Sequence, residues 1–357
     1  MAAVPAVLLL RELLPGVSRS FALSLRMLPA PLAIPFGLTY LLARAADTIA
    51  DTRALAPPER ARQIEAPRAA VRTGEALDAG HLIARVAADH PTTERRLLER
   101  LPGILAAYRT LLPEDRGRAD AVLTTLTQAM LDALQRFPPE DAGLEALETR
   151  ADLDRYTYMN AGCVGEFWTD MVVAHRPRCR GWNVQQMREW GRRFGQGLQL
   201  VNVLRDLPRD LRIGRCYLPR VELAELGLAP VDLLDPAKGP RVRPLVARLV
   251  DQALACLEDG AAYTRAVPRL EARLRLACAL PLLIALGTLA RLRRTDNLLD
   301  PAVVIKVPRR EVRRHLAWAP ALVLSNRALA ASVARLRVAA RAGPPQPGAG
   351  ARPGAGT

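Results

Sequence analysis

The stretch LLARAADTIADT, residues 41–52, sets one arginine and two aspartates into an otherwise apolar, helix-favouring run. Tyr40, Arg44, Asp47 and Asp51 are spaced by four, three and four residues, so a helix carries all of them on one face. The two carboxylates then stand one turn apart, roughly 6 Å along the axis. Like charges at that spacing repel one another. A cation between them turns the repulsion into binding.

A second stretch repeats the arrangement. In QGLQLVNVLRDLPRDLRIGRCYLPR, residues 196–220, Gln199, Asn202, Asp206 and Asp210 are spaced by three, four and four and make another polar stripe on an apolar helix. Arg205 adjoins this stripe, and Arg212 and Arg215 follow within two turns. Pro208 removes a backbone donor here, which predicts a kink or a helix end. Two Asp-x-x-x-Asp pairs facing each other across a cavity suit Mg²⁺ or Mn²⁺, hard ions that take a few carboxylate oxygens, keep waters and draw their remaining ligands from phosphate. Neighbouring arginines would grip the other phosphate oxygens bidentately. A single such pair is usually a solvated helix face. Two pairs, each with an arginine at a helix-compatible offset and each embedded in apolar sequence, point to a diphosphate–metal site.

The elements that must position these residues are helical. The chain has 357 residues, of which 50% are hydrophobic and only 4% aromatic, enough to bury a large core. β-Branched runs are few and no alternating strand pattern of useful length occurs, so the expectation is an all-α fold, a single large helical bundle around a central apolar cavity. Helices are predicted near 18–28, 34–52, 58–72, 78–88, 92–112, 117–136, 151–174, 184–212, 241–265, 269–294 and 308–338, with Pro- and Gly-containing breaks at 56–58, 137–143, 228–240 and 301–308. No internal repeat is evident. Residues 1–340 are expected to form the domain, and the Gly/Pro/Ala-rich stretch 341–357 a disordered tail.

The net charge of +15 invites a nucleic-acid reading. Against it, Lys238 and Lys306 are the only lysines, and the arginines are scattered among glutamates as a high-GC coding bias would scatter them. No helix-turn-helix, zinc-finger or RNA-binding signature accompanies the charge, and no nucleic-acid partner is expected. An anionic lipid surface or a phosphorylated substrate is compatible with it. Cysteines 163, 179, 216, 256 and 278 form no C-x-x-C pair, which argues against structural zinc or a disulfide framework and suits a reducing cytosol. No secretion signal is evident at the N-terminus. The longest charge-free apolar stretch, LACALPLLIALGTLA (276–290), is short for a membrane span and contains Pro281, so it reads as a buried helix lining an apolar space. The expectation is a cytoplasmic monomer, soluble or peripheral at the inner membrane face, with no transmembrane segment.

Four blocks, SRSFALSLRMLP (18–29), YLLARAADTIAD (40–51), YTYMNAGCVGEFW (156–168) and QLVNVLRDLPRDLRIGRCYLP (199–219), resemble in order the motifs of the squalene and phytoene synthases, most closely the bacterial squalene synthases. These are head-to-head prenyl synthases of the all-α isoprenoid synthase fold, and the resemblance covers roughly residues 15–320. It implies that Asp47, Asp51, Asp206 and Asp210 are metal ligands and that Arg19, Arg44, Arg205 and Arg215 contact diphosphate. It further implies that Tyr40, Gln199 and Asn202 line the site, with Tyr40 and Arg205 in the catalytic set, and that Tyr156 handles a proton during cyclopropane formation. Gly162 and Gly165 would leave room for a prenyl chain. Ala50 and Arg209 stand where many relatives carry Glu, which touches the surroundings of the aspartates rather than the aspartates themselves.

The implied reaction takes two farnesyl diphosphates. Metal and arginines make one diphosphate a leaving group, the second farnesyl chain attacks the allylic cation, and proton loss closes presqualene diphosphate. A second ionisation ended by hydride from NADPH yields squalene, a precursor of sterols or hopanoids. Without hydride the product is dehydrosqualene or phytoene, or the reaction stops at presqualene diphosphate. The segment VVIKVPRREVRRHL (303–316) resembles the flap of squalene synthases and assigns Lys306, Arg309 and Arg310 to NADPH. No G-x-G-x-x-G turn is present, so the reductant would bind this same domain. A non-catalytic assembly factor of the same family is the other reading, and the intact aspartates argue against it.

Overall fold

The computed structural model describes residues 5–17, 24–25, 27–52, 55–73, 85, 92–137 and 143–342. Helices follow one another along the chain: α1 (Ala6–Val17), α2 (Ala30–Asp51), α3 (Pro57–Thr73), α4 (Thr92–Glu99), α5 (Leu101–Arg109), α6 (Pro113–Arg136), α7 (Arg150–Thr157), a π segment (Tyr158–Gly162), α8 (Cys163–His175), α9 (Val184–Arg212), α10 (Arg220–Ala224), α11 (Gly239–Ala266), α12 (Ala272–Arg294), α13 (Arg309–Ala317), α14 (Ala319–Leu324) and α15 (Asn326–Arg341). The strand content among these residues is one two-residue parallel pair, β1 (Glu145–Ala146) with β2 (Arg215–Cys216). The all-α expectation holds.

Local sequence explains most boundaries. Thr149 and Asp152 close a reciprocal capping box at the start of α7, and the Asn183 side chain accepts from Gln186 N at 3.1 Å to start α9. The predicted helix 92–112 is divided at Arg100, because Pro102 favours the first turn of a new helix. The predicted helix 308–338 is three helices, with Pro320 in the first turn of α14 and Ser325 capping α15. Pro208 does not end α9, which continues to Arg212. The helix α1 was not expected, while the predicted helices 18–28 and 78–88 fall largely outside the described residues, as does the expected tail from residue 343.

The core is continuous and built mainly of leucine. At its centre α9 packs against α8, α11 and α12. Gly165 on α8 and Gly191 on α9 meet backbone to backbone: a Cβ on Gly165 would lie 1.9 Å from the Gly191 carbonyl oxygen, and one on Gly195 would lie 2.2 Å from that of Ala161. No larger residue allows this approach. Phe36 fixes α2 against α8 through Phe167 and Trp168, both at ring centroids of 4.9 Å. The five cysteines are buried and free.

The helix α12 is long and apolar enough by length and composition to cross a membrane, but 72% of its most apolar stretch is buried in the protein. Arg275, at 0% exposed, anchors it. Its guanidinium donates to the carbonyls of Val267 at 2.8 Å, Arg265 at 3.2 Å and Leu322 at 3.4 Å, and to the Asn326 side chain. One buried cation thereby ties the end of α11 to α14 and α15, with its charge satisfied by oxygen acceptors rather than by an acid.

Candidate active site

Helix α2 presents Tyr40, Arg44 and Asp47, and α9 presents Gln199 and Asn202, to one cavity of about 540 Å³. Its body is apolar: Leu126 and Met130 of α6, Val164 and Trp168 of α8, Phe194 and Leu198 of α9, and Pro281 of α12. The apolar run around Pro281 therefore does line an apolar space, as its sequence predicted. A volume of this size with convergent polar groups at one end is typical of a small-molecule site.

At the polar end, Arg44 forms an ion pair with Asp47 and donates to Glu94 of α4 at 3.2 Å. Glu94 is 8% exposed and also accepts from the Thr93 hydroxyl at 2.6 Å, so the guanidinium is held from two sides. The Nε of Arg44 is buried with no partner among the described residues. Desolvation in the recess, followed by the charge of Asp51, pushes Asp47 up to about 6, against the opposing pull of Arg44 and Arg215. Asp51 meets Arg215 at 4.0 Å. Arg60 of α3 donates to the Ala50 carbonyl at 3.2 Å beside them, and its own Nε is likewise buried without a partner.

On α9, Asn202 donates to Gln199 at 3.2 Å within the cavity lining, and farther along the helix, outside that lining, Arg205 binds Asp206 bidentately at 2.8 and 2.6 Å. Asp210 is pushed up to about 6 by burial and by Asp206, with Arg209, Arg215 and Arg205 pulling the other way. Arg215 is thus electrostatically coupled to both aspartate pairs. The chain reaches this position because Gly214, at φ 79°, takes the left-handed conformation that ends α9, and β2 then pairs with β1.

The same turn brings Tyr217 onto Tyr156, with ring centroids 4.5 Å apart and planes 27° from parallel. The Tyr156 hydroxyl accepts from Gln199 at 3.3 Å and hydrogen-bonds Tyr217. Burial, then the neighbouring Tyr217, raises Tyr156 well above the usual phenol range, so it is a neutral hydroxyl at physiological pH. The π segment that follows carries Asn160 and Ala161 into the cavity wall, and Asn160 donates to the Tyr156 carbonyl at 2.9 Å. π-Turns inside α-helices occur frequently at functional sites.

Of the predicted site residues, Tyr40, Arg44, Asp47, Gln199 and Asn202 line the cavity, whereas Asp51, Tyr156, Arg205, Asp206, Asp210 and Arg215 do not line it and are tied to these by the contacts above. The Tyr40 hydroxyl is donated to the Val17 carbonyl at 3.2 Å while its ring lines the cavity. Gly165 makes room for the backbone of α9, so its first role is helix approach rather than space for a prenyl chain. Arg19 lies outside the described residues. Lys306, Arg309 and Arg310 are exposed at the start of α13, and none of them lines the cavity. Glu94, Arg60 and Tyr217 are members of the site that sequence spacing did not reveal. The donor set around the cavity is carboxylate, amide and hydroxyl oxygen, which fits Mg²⁺ or Mn²⁺. Among the described residues no three acidic, Cys or His side chains converge tightly enough to hold an ion alone.

Comparison with known proteins agrees with this geometry. A model of the squalene/phytoene synthase family matches residues 14–311. The bifunctional lycopene cyclase/phytoene synthase of Arthroderma gypseum is 29% identical over 184 residues, 51% of this chain and 30% of that protein. The squalene synthase of Eremothecium gossypii is 25% identical over 298 residues, 83% of this chain and 64% of that protein. The chain therefore spans less than two thirds of the length of either relative. The structure of TcSQS with the ligand E5700 superposes with a TM-score of 0.72 at 20% identity, covering 94% of this chain and 97% of that one, a likeness of fold. With the family model spanning both aspartate helices and the turn that carries Arg215, the chain belongs to the squalene/phytoene synthase family.

Proposed function

We propose that this protein condenses two farnesyl diphosphates head to head, through presqualene diphosphate, to squalene. The observation that carries the reading is the cavity itself, an apolar body with Tyr40, Arg44, Asp47, Gln199 and Asn202 at its polar end, from which α2 and α9 run on to the remaining aspartates. A prenyl diphosphate has the same two-part character.

Asp47, Asp51, Asp206 and Asp210 would hold Mg²⁺ or Mn²⁺, which when bound supplies the positive charge that makes diphosphate a competent leaving group. Arg44, Arg205 and Arg215 bind the remaining phosphate oxygens, and the unpartnered Nε of Arg44 is a donor free to do so. The cavity walls keep water from the allylic cation, and the faces of Trp168 and Phe194 stabilise positive charge near them. Tyr156, neutral and hydrogen-bonded to Tyr217, can act only as a relay, taking up the proton lost on ring closure as it passes its own phenolic proton to the released diphosphate, while Gln199 fixes its orientation. In the reductive branch NADPH would supply the hydride that quenches the final cation, with Lys306, Arg309 and Arg310 as the basic groups for its phosphates.

The squalene branch is supported by the squalene synthase relative that aligns with 83% of the chain. A non-reductive product, dehydrosqualene, phytoene or presqualene diphosphate, is favoured instead by the exposure of Lys306, Arg309 and Arg310 away from the cavity lining. Incubation with farnesyl diphosphate and Mg²⁺, with and without NADPH, followed by product identification, separates the two. Squalene formed only with NADPH supports the reductive reading. A C30 product unchanged by NADPH assigns the protein to the non-reductive branch, and no release of diphosphate sinks the enzymatic reading.

A further inference from the structure

One surface outside the cavity holds more than the reductive reading draws on: the corner formed by α13 and α14, where Arg313, Arg314 and Trp318 have no part in either branch of the reaction. Helix α13 turns Glu311 inward to Arg291 of α12, at 2.5 Å, and buries His315. Its outer face is then left to Arg309, Arg310, Arg313 and Arg314, all exposed. With Glu311 already taken, none of these four has a carboxylate partner among the described residues. An arginine run of this kind is ordinarily a solvated face. What sets this one apart is the apolar surface beside it. Leu316 is 37% exposed, Trp318 62%, and on either side in the chain Val304 is 81% and Leu324 63% exposed. Trp318 joins the two helices, its backbone N–H donating to the Arg314 carbonyl at 3.0 Å, with most of its side chain in solvent.

We propose that this corner docks on an anionic bilayer surface, with Trp318 and its apolar neighbours at the headgroup boundary and the arginines on the lipid phosphates. Indole is the side chain that settles at the membrane–water interface, wet at one edge and apolar elsewhere. Arginine stems lie along apolar surface while their charged ends reach phosphate. Four unpaired cations within about two turns match an anionic surface and give no preference for a neutral one. Helix α13 is too short to lie in the membrane as an amphipathic anchor, so the attachment is peripheral, electrostatic and reversible. This docking is independent of which reaction the cavity performs.

The test uses the full chain with vesicles of phosphatidylcholine alone and of phosphatidylcholine with phosphatidylglycerol. Cosedimentation with the anionic vesicles only, weakened by salt and accompanied by a blue shift in tryptophan emission, is the expected result. Replacing both Arg313 and Arg314 by Ala should weaken binding about thirtyfold. In Trp318→Phe the blue shift should disappear. Both variants should keep the circular dichroism and the turnover of the parent in vesicle-free buffer, since neither change touches the cavity. Equal binding to neutral vesicles, or anionic binding that survives the double arginine replacement, overturns the proposal. So does binding to duplex DNA in preference to the anionic vesicles, which would place the patch among nucleic-acid surfaces.

Discussion

Replacing Asp47 by Asn separates what the site does for chemistry from what it costs the fold. Burial and the neighbouring charge of Asp51 raise Asp47 from 3.8 to about 6. For a fully buried group such a rise corresponds to about 3 kcal/mol. The Asp47 side chain is 41% exposed into the cavity, and solvent screening reduces the figure to about 1 kcal/mol. The sign follows from linkage: the folded state holds this proton more tightly than the unfolded chain, so ionisation of Asp47 destabilises the fold. The penalty is fully present above pH about 6, shrinks between about 6 and 3.8, and is absent below that window. In chelator, above pH about 6, Asp47→Asn should therefore melt about 2 °C higher than the parent, and the difference should vanish as the pH falls through the window. With Mg²⁺ and inorganic diphosphate added, the order should reverse, because ligand stabilises the parent by mass action and the variant has lost a carboxylate that holds it. A variant less stable than the parent in chelator above pH 6 would refute the argument, since the ion pair with Arg44 would then outweigh desolvation and Asp47 would be a structural residue.

Other consequences are equally direct. Asp206→Ala should lower diphosphate release by about 10²-fold or more without loss of helicity, because it removes leaving-group stabilisation worth several kcal/mol; circular dichroism beside a turnover assay checks both parts. Joint replacement of Lys306, Arg309 and Arg310 by Ala should spare the first condensation and, if the reductive branch operates, raise the ratio of presqualene diphosphate or dehydrosqualene to squalene, as read by product chromatography. Gly165→Ala drives a methyl to within 1.9 Å of the Gly191 oxygen and should cost about 3 kcal/mol or more in denaturant unfolding, whereas Gly117→Ala, with nothing within 4 Å, should gain about 0.5–1 kcal/mol. Arg275→Ala strips three carbonyls and Asn326 of a donor and should destabilise by about 4 kcal/mol, visible as a lower denaturant midpoint.

The aspartate stripes were legible in the sequence because a helix converts a local spacing into a shared face, and nothing from elsewhere in the chain is needed to see it. The members that escaped notice act across long separations. Glu94 reaches Arg44 from a different helix, and Tyr217 finds Tyr156 only after Gly214 has turned the chain and β2 has paired with β1. The π segment is invisible to periodicity, since one extra residue in a turn leaves the apolar pattern on either side intact. The basic flap was readable as a helix, but its distance from the cavity lining depends on where α12 carries it. Gly165 was recognised as a place needing space, but the approach of the α9 backbone was not, because a glycine records that something comes close without recording what.

That glycine contact gives the cavity the mechanics of a lever. Helix α9 is a rod of 29 residues, pinned near one end where Gly191 and Gly195 press on the backbone of α8 and the π segment. Asp206 lies about 22 Å farther along the same rod. A side-chain contact at the pin could be retuned by a change of rotamer; a contact between two backbones has no such adjustment and acts as a hard stop. Because Gly165, Gly191 and Gly195 also line the cavity, its width at the pin and the position of the second aspartate pair are one mechanical variable. Adding bulk at the fulcrum to narrow the space for a prenyl chain would swing the aspartates by a multiple of the local shift. Under the proposed reaction, selection for chain length would act most freely on the wall formed by α6 and α12, at Leu126, Met130 and Pro281, where a side chain can change size without moving the rod.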